Sequence, residues 1–324
     1  MRVGLGQFNV LTDEKLAFIK QVGADDFLMN TPQLPGDAQW GYEDLAELVS
    51  RAEAAELRLM CLENVPVHFY DEIMLGQDGR DKQLGHMATN VRNMGKAGIP
   101  ILGYHWVPNF VWRDQERQSL RGGAAATRFT MADHADAPLS HGRPFTDEEM
   151  WDNYEYFIKR VLPVAEDSDV RMALHPDDPP VARMNGVAKL FTHFDGYKRA
   201  NEIAGRSPHW GVLLCVGTWS EGGKKMGKDV FEMIRYWGKR KQLFAIHFRN
   251  VSGTLPRFFE TFPDDGYQDM PKVMRTLREV GFNGTTIGDH IPRMINDSGL
   301  QQAGAAYCVA YMRALLKQAN RDVG

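Results

Sequence analysis

Eight times along the chain a short apolar run ends at a polar, glycine or proline break and is followed by a longer amphipathic stretch. The runs are "VGLGQF" (3–8), "DDFLMNTP" (25–32), "LRLMCLENVP" (57–66), "IPILGYHWVP" (99–108), "VRMALHPDDPP" (170–180), "WGVLLCVG" (210–217), "LFAIHFRNV" (243–251) and "GTTIGDHIP" (284–292). Strand-length apolar runs alternating with helix-length amphipathic ones specify β/α units on a parallel sheet. Eight such units in 324 residues predict an α/β fold of the (β/α)8 TIM barrel type, a single domain over 1–324 with no linker dividing it.

The stretches between the runs carry helix punctuation. "TDEKLAFIKQVG", "YEDLAELVSRAEAAEL", "TDEEMWDNYEYFIKRVLPVAED" and "MPKVMRTLREVG" have helical periodicity. Thr12 and Thr146 precede acidic first turns, as N-caps do, and Gly23, Gly98 and Gly281 stand where a left-handed C-cap is wanted. The one long irregular stretch is 109–145, after the fourth run. Its length and position predict a lid over the barrel mouth or an oligomer contact.

A formal net charge of −4 gives the chain no general attraction for nucleic acid or an anionic membrane, and a small-molecule substrate fits better. No apolar run approaches the roughly 20 residues that a bilayer span demands, and the N-terminus lacks a signal-peptide layout, so the expected location is cytoplasmic. Cys61, Cys215 and Cys308 are too few and too scattered for a disulfide framework. "GLGQF" is no phosphate loop, because neither GxGxxG nor Walker spacing follows, and no nucleotide cofactor is expected.

A barrel of this kind keeps its chemistry at the C-terminal ends of its strands, so the last residues of each run matter most. They are Glu63 and Asn64, Tyr104 and His105, His175 with Asp177 and Asp178, Cys215, His247 with Arg249, and Asp289 with His290. His175, Cys215, His247 and Asp289 come from four consecutive runs and are good donors for a first-row divalent ion. Taken singly, each has a plainer reading: a cysteine in "GVLLCVG" is most often a small buried hydrophobe, and a lone strand histidine is more often structural. Their common rim is what points to a metal, with Asp289 a ligand and His290 its catalytic neighbour. Tyr104, His105 and Trp106 leave one strand end together and could form a substrate platform, with Asn64 beside them. Cys61 is expected to pack in its strand, and Cys308 in the core stripe of the last helix.

"CLENVPVHFYDEIMLGQDGRDKQ", "ILGYHWVP", "ALHPDDPP", "IHFRNV" and "GDH" also resemble, in order and over most of the chain, the corresponding segments of the mannonate dehydratase family. The resemblance implies a barrel like that of xylose isomerase and a role in hexuronate breakdown, removing water from D-mannonate to give 2-dehydro-3-deoxy-D-gluconate. It implies manganese or ferrous iron on His175, Cys215, His247 and Asp289, an acid/base role for His290, and a homodimer. Where the family carries a tyrosine in the loop after the last strand, "IPRMINDSGLQQAG" has none, and Tyr307 lies further on.

For such an elimination, a divalent ion would stabilise the charge that develops beside the substrate carboxylate, His290 would move a proton, and Arg249 would clamp the carboxylate in a bidentate fork. Two other classes stand beside the dehydratase: a metal-dependent sugar isomerase or epimerase, and a catalytically weak metal-binding relative. The isomerase usually wants two opposed strand-end carboxylates, and Glu63 is the only obvious glutamate at a strand end.

Overall fold

The computed structural model describes residues 1–295, 297 and 302–323. All eight runs form strands, which we number β1 (Arg2–Phe8), β2 (Asp26–Asn30), β3 (Arg58–Glu63), β4 (Ile101–Tyr104), β5 (Arg171–Leu174), β6 (Trp210–Cys215), β7 (Leu243–His247) and β8 (Thr285–Ile287). Each pairs in parallel with its neighbours in sequence, and β1 closes the ring on β8 through Arg2 opposite Thr285 and Val3 opposite Thr286. This is the predicted (β/α)8 barrel. Among the described residues, no helix is long and apolar enough to cross a membrane.

The helix signals read from sequence act as expected. Thr12 accepts from the Lys15 amide, and Thr146 forms a reciprocal capping box with Glu149 at the start of helix Asp147–Asp167. Gly98 ends helix Arg80–Ala97 at φ +83, a left-handed conformation that only glycine adopts without strain.

Two apolar layers hold the barrel. The larger lies between the strands and the surrounding helices. The smaller fills the barrel interior with Leu28, Met60, Cys61, Ile101, Ala173, Leu213, Phe244, Ala245 and Ile287, drawn from every strand but β1. On β1 a Cβ added at Gly6 would stand 2.4 Å from Ile287 Cδ1, so the barrel leaves no room for a side chain there. Cys61 is packed in this interior, Cys308 is buried on the last helix, and all three cysteines are free thiols.

The stretch 109–145 is less irregular than its sequence suggests. Gln118–Ser119 pairs with Ala125–Ala126, and Arg128–Thr130 pairs antiparallel with Arg257–Phe259 from the loop after β7. Strands of two or three residues are too short to show an alternation that sequence reading can detect. Ala125 also bridges Arg293 beyond β8, and Arg121 meets the Asp264 carboxylate with both terminal nitrogens.

Candidate active site

Strand alternation delivers the functional side chains. Successive residues of a strand face opposite sides, so a residue two places beyond an interior-facing one also faces inward, now at the mouth. Two steps from Cys61, Ala173, Leu213, Ala245 and Ile287 lead to Glu63, His175, Cys215, His247 and Asp289.

The donor atoms of His175, Cys215 and His247 all lie within 4.8 Å of one another, and all three residues are buried. Asp289 adds a carboxylate whose Oδ2 stands 3.4 Å from His247 Nδ1 and 4.0 Å from Cys215 Sγ. The imidazole nitrogens are sorted by their other partners. His175 Nδ1 lies 2.7 Å from the carbonyl oxygen of Pro176, which leaves Nε2 for a ligand. His247 Nε2 lies 2.9 Å from Glu63 Oε2, while its buried Nδ1 makes no hydrogen bond. A histidine held by a carboxylate at one nitrogen and unpaired at the other is arranged as metal-ligating histidines are.

Charge prepares Cys215, His175 and Asp289 for ligation, whereas His247 must first give up a proton. Burial pushes the Cys215 thiol up, but the Arg249 guanidinium and His247 more than offset it, so its pKa is lowered. Cys215 Sγ also accepts from the Thr218 amide at 3.4 Å. Burial and the neighbouring His247 charge bring the His175 pKa down to about 4, which keeps its ring neutral. For His247 burial again works against the charged form, yet Glu63 and Asp289 raise its pKa well above the ordinary imidazole value. Burial raises Asp289, but His290, His247 and Arg249 hold it well below the usual carboxylate range.

Two sequence expectations are corrected. Arg249, expected to clamp the substrate carboxylate, is buried under the donor set with its fork already taken. Its Nε and Nη2 lie 3.3 and 3.2 Å from Cys215 Sγ, and the terminal nitrogens also meet Asp178, Thr218, Glu221 and Glu260. A guanidinium with no free donor and no exposed face holds its neighbours in place. Tyr104, expected on the substrate platform, is turned away from the mouth. Its hydroxyl is 3.0 Å from that of Tyr154 and accepts from Trp210 Nε1 at 3.1 Å, within the layer between strands and helices.

A cavity of about 220 Å³ opens at the barrel mouth against this cluster. Of the expected site residues, Asn64, His105, His175, His247, Asp289 and His290 line it. His290 has a quarter of its side chain exposed and sits in the left-handed region at φ +44, with Nδ1 3.4 Å from Glu260 Oε1. Backbone strain of this kind concentrates at functional positions. His105, on the strand diametrically across the ring, stacks on His175 with ring centroids 4.0 Å apart and has Nε2 3.3 Å from Glu63 Oε1. Asn64 Oδ1 is a buried acceptor without a partner, free to take a substrate hydroxyl.

Sequence reading missed Gln7, Asn30 and Phe110 on this wall, and gave no role to Glu63 and Asp178, which also line it. Gln7 is the last polar residue of β1 and Asn30 the last residue of β2, so inspecting the last polar residue of every strand would have found them. Phe110 lies in a loop and carried no such signal. The loop after β8 that lacks the family's tyrosine falls partly outside the described residues, at 296 and 298–301. Tyr307 is absent from the cavity wall and instead accepts from Arg121 Nη2 at 3.0 Å.

A family model described as D-mannonate dehydratase (UxuA) matches residues 8–140 and 137–323. The chain is 31% identical over 291 residues to mannonate dehydratase of Streptococcus suis (strain 05ZYH33), covering 82% of this chain and 78% of that protein. The crystal structure of mannonate dehydratase from Streptococcus suis serotype 2 superimposes with a TM-score of 0.89 at 29% identity, over 100% of this chain and 95% of that one. D-psicose 3-epimerase from Clostridium cellulolyticum H10 superimposes with a TM-score of 0.63 at 15% identity over 98% and 99% of the two chains, a likeness of fold alone.

Proposed function

Because this chain belongs to the D-mannonate dehydratase family of hydro-lyases, we propose that it removes water from D-mannonate to give 2-dehydro-3-deoxy-D-gluconate. The observation that carries the reading is the buried set of His175, Cys215 and His247, with Asp289 beside it and His247 Nδ1 unpaired, of which His175, His247 and Asp289 line the cavity at the barrel mouth.

In this reading His175 Nε2, Cys215 Sγ, His247 Nδ1 and an Asp289 oxygen would hold manganese or ferrous iron. Such an ion supplies Lewis-acid stabilisation of the charge that develops next to the substrate carboxylate. The protein does the remaining work. Glu63 fixes the His247 ring through Nε2, and Arg249 keeps the thiol and Asp289 in place from below. Asn64 offers its free oxygen to a sugar hydroxyl. His290 is the partly exposed imidazole on the wall, and it moves a proton at C2 or at the departing C3 hydroxyl. The C2–H and C3–OH bonds break, the electron pair of C2–H forms the C2–C3 double bond, and the resulting enol tautomerises to the ketone. The base of the stretch 109–145, with Phe110 and Val111 on the cavity wall, serves as a side of the site. The same reading has a single barrel domain serve hexuronate breakdown as a cytoplasmic homodimer.

The test is an assay of the purified protein on D-mannonate and a panel of other aldonates and ketoses, with added manganese or ferrous iron and after chelation. Metal-dependent formation of the 2-keto-3-deoxy acid from D-mannonate supports the reading. Epimerisation of a ketose, or no turnover of any aldonate, refutes it.

A further inference from the structure

The stretch after β4 reaches into the barrel mouth before it runs out over the surface. Phe110 and Val111 stand on the cavity wall. Two residues on, Arg113 turns its guanidinium inward, leaving 9% of the side chain exposed. There it makes a two-pronged contact with Asp178, Nη1 to Oδ1 at 2.5 Å and Nη2 to Oδ2 at 2.9 Å, and donates from Nη2 to Glu260 Oε1 at 2.9 Å.

Both partners are shared with the site. Asp178 Oδ2 accepts from Arg249 Nη2 at 3.0 Å, and the same Arg249 fork lies against Cys215 Sγ at 3.2 and 3.3 Å. Glu260 Oε1 accepts from Arg249 Nη1 at 2.5 Å and lies 3.4 Å from His290 Nδ1. Glu221 Oε1 completes the group, 3.4 Å from Arg113 Nη2 and 2.9 Å from Arg249 Nη1. Three buried carboxyl groups thus share two guanidiniums. Charges removed from water are held only by good mutual geometry, so withdrawing one guanidinium leaves the rest to rearrange.

We infer that Arg113 is a positioning residue for the dehydration: through Asp178 and Glu260 it fixes the cavity wall, the Arg249 fork beneath Cys215, and the His290 ring. Without it Arg249 alone faces three carboxyl groups and is drawn off the sulfur, and His290 loses the orientation of its Glu260 contact. A lysine keeps the charge but cannot make the two-pronged contact, so it restores the arrangement only in part. This inference rests on the proposed function, because the groups it positions are the ligand and the acid/base of that reading.

The test compares wild type, Arg113→Lys and Arg113→Met loaded with cobalt(II), reading the thiolate-to-cobalt absorption band, the turnover of D-mannonate and the melting temperature. We expect both variants to bind cobalt with a displaced or weakened band and to lose kcat, Arg113→Met by about 10²-fold, the scale of loss expected when reacting groups are misplaced by an ångström. Lysine should be the milder change. A wild-type band and kcat in Arg113→Met, with only a lower melting temperature, would make Arg113 a structural anchor and overturn the inference. Should the methionine variant not fold, Arg113→Lys decides alone, and wild-type values in it overturn the inference equally. If wild-type protein itself shows neither band nor turnover, the proposed function has failed and this inference falls with it.

Discussion

Oε2 of Glu63 lies 2.9 Å from Nε2 of His247, and this contact determines which imidazole nitrogen is left for other work. Gln7 Nε2 donates to the same Glu63 oxygen at 3.0 Å, and Glu63 and His247 are both buried, so the carboxylate is held as firmly as the ring. His247 Nδ1 is thereby presented to Cys215 and Asp289. Glu63→Gln keeps the shape and removes the charge that orients this ligand. It should weaken binding of manganese(II) by roughly 10–100-fold while leaving the circular dichroism spectrum intact. Unchanged affinity in a calorimetric titration would show that His247 needs no such support.

The neighbours Asp289 and His290 should fail differently. Asp289→Asn exchanges an anionic donor for a neutral one, so metal content falls and activity is lost as a consequence. His290→Asn should keep its metal and fold but lower kcat by roughly 10²–10⁴-fold with little change in KM. Exchange of the C2 proton with deuterated solvent then assigns the role: continued exchange without elimination makes His290 the acid to the leaving hydroxide, and lost exchange makes it the base. Near-normal kcat in His290→Asn would pass the acid/base role to His105, across the ring on the same cavity.

The sequence legibly encodes the barrel, because eight strand-to-helix alternations leave few topologies open, and it points to the strand-end residues His175, Cys215, His247 and Asp289 that the structure brings together. It was misread where alternation was ignored. Ile101 and Gly103 face the barrel interior, where a Cβ at Gly103 would meet Leu213 and Glu63, so His105 faces the mouth and Tyr104 must face the helices. Two adjacent strand residues cannot both form one platform. Arg249 was misread for another reason. Its acidic partners Asp178, Glu221 and Glu260 come from three separate loops and helices, and nothing in the spacing of those residues announces that they converge. Arg113 was hidden in the same way, inside a stretch with no periodicity.

Metal binding should depend on pH in a fixed direction. The neighbouring carboxylates raise the His247 pKa well above the ordinary value, so the metal-free ring carries a proton that must leave before Nδ1 can ligate. Affinity for manganese(II) should therefore rise with pH, and binding should release protons. His175, with its pKa near 4, contributes nothing to this dependence above pH 6. Calorimetric titrations between pH 6 and pH 8, in buffers of different ionisation enthalpy, report both quantities. A pH-independent affinity without proton release would contradict the assigned state of His247.

Dehydration of D-mannonate should depend on one divalent ion held at the ends of β5 to β8. Metal content after dialysis, measured by elemental analysis on the same samples whose D-mannonate turnover is recorded, tests it most directly in wild type, Cys215→Ser and His247→Ala. Wild type should carry about one ion per chain and turn over D-mannonate, with both falling together in each variant, because each substitution removes one donor of the set His175, Cys215 and His247. Full metal occupancy in both variants, or wild-type turnover that survives complete removal of metal, would contradict it.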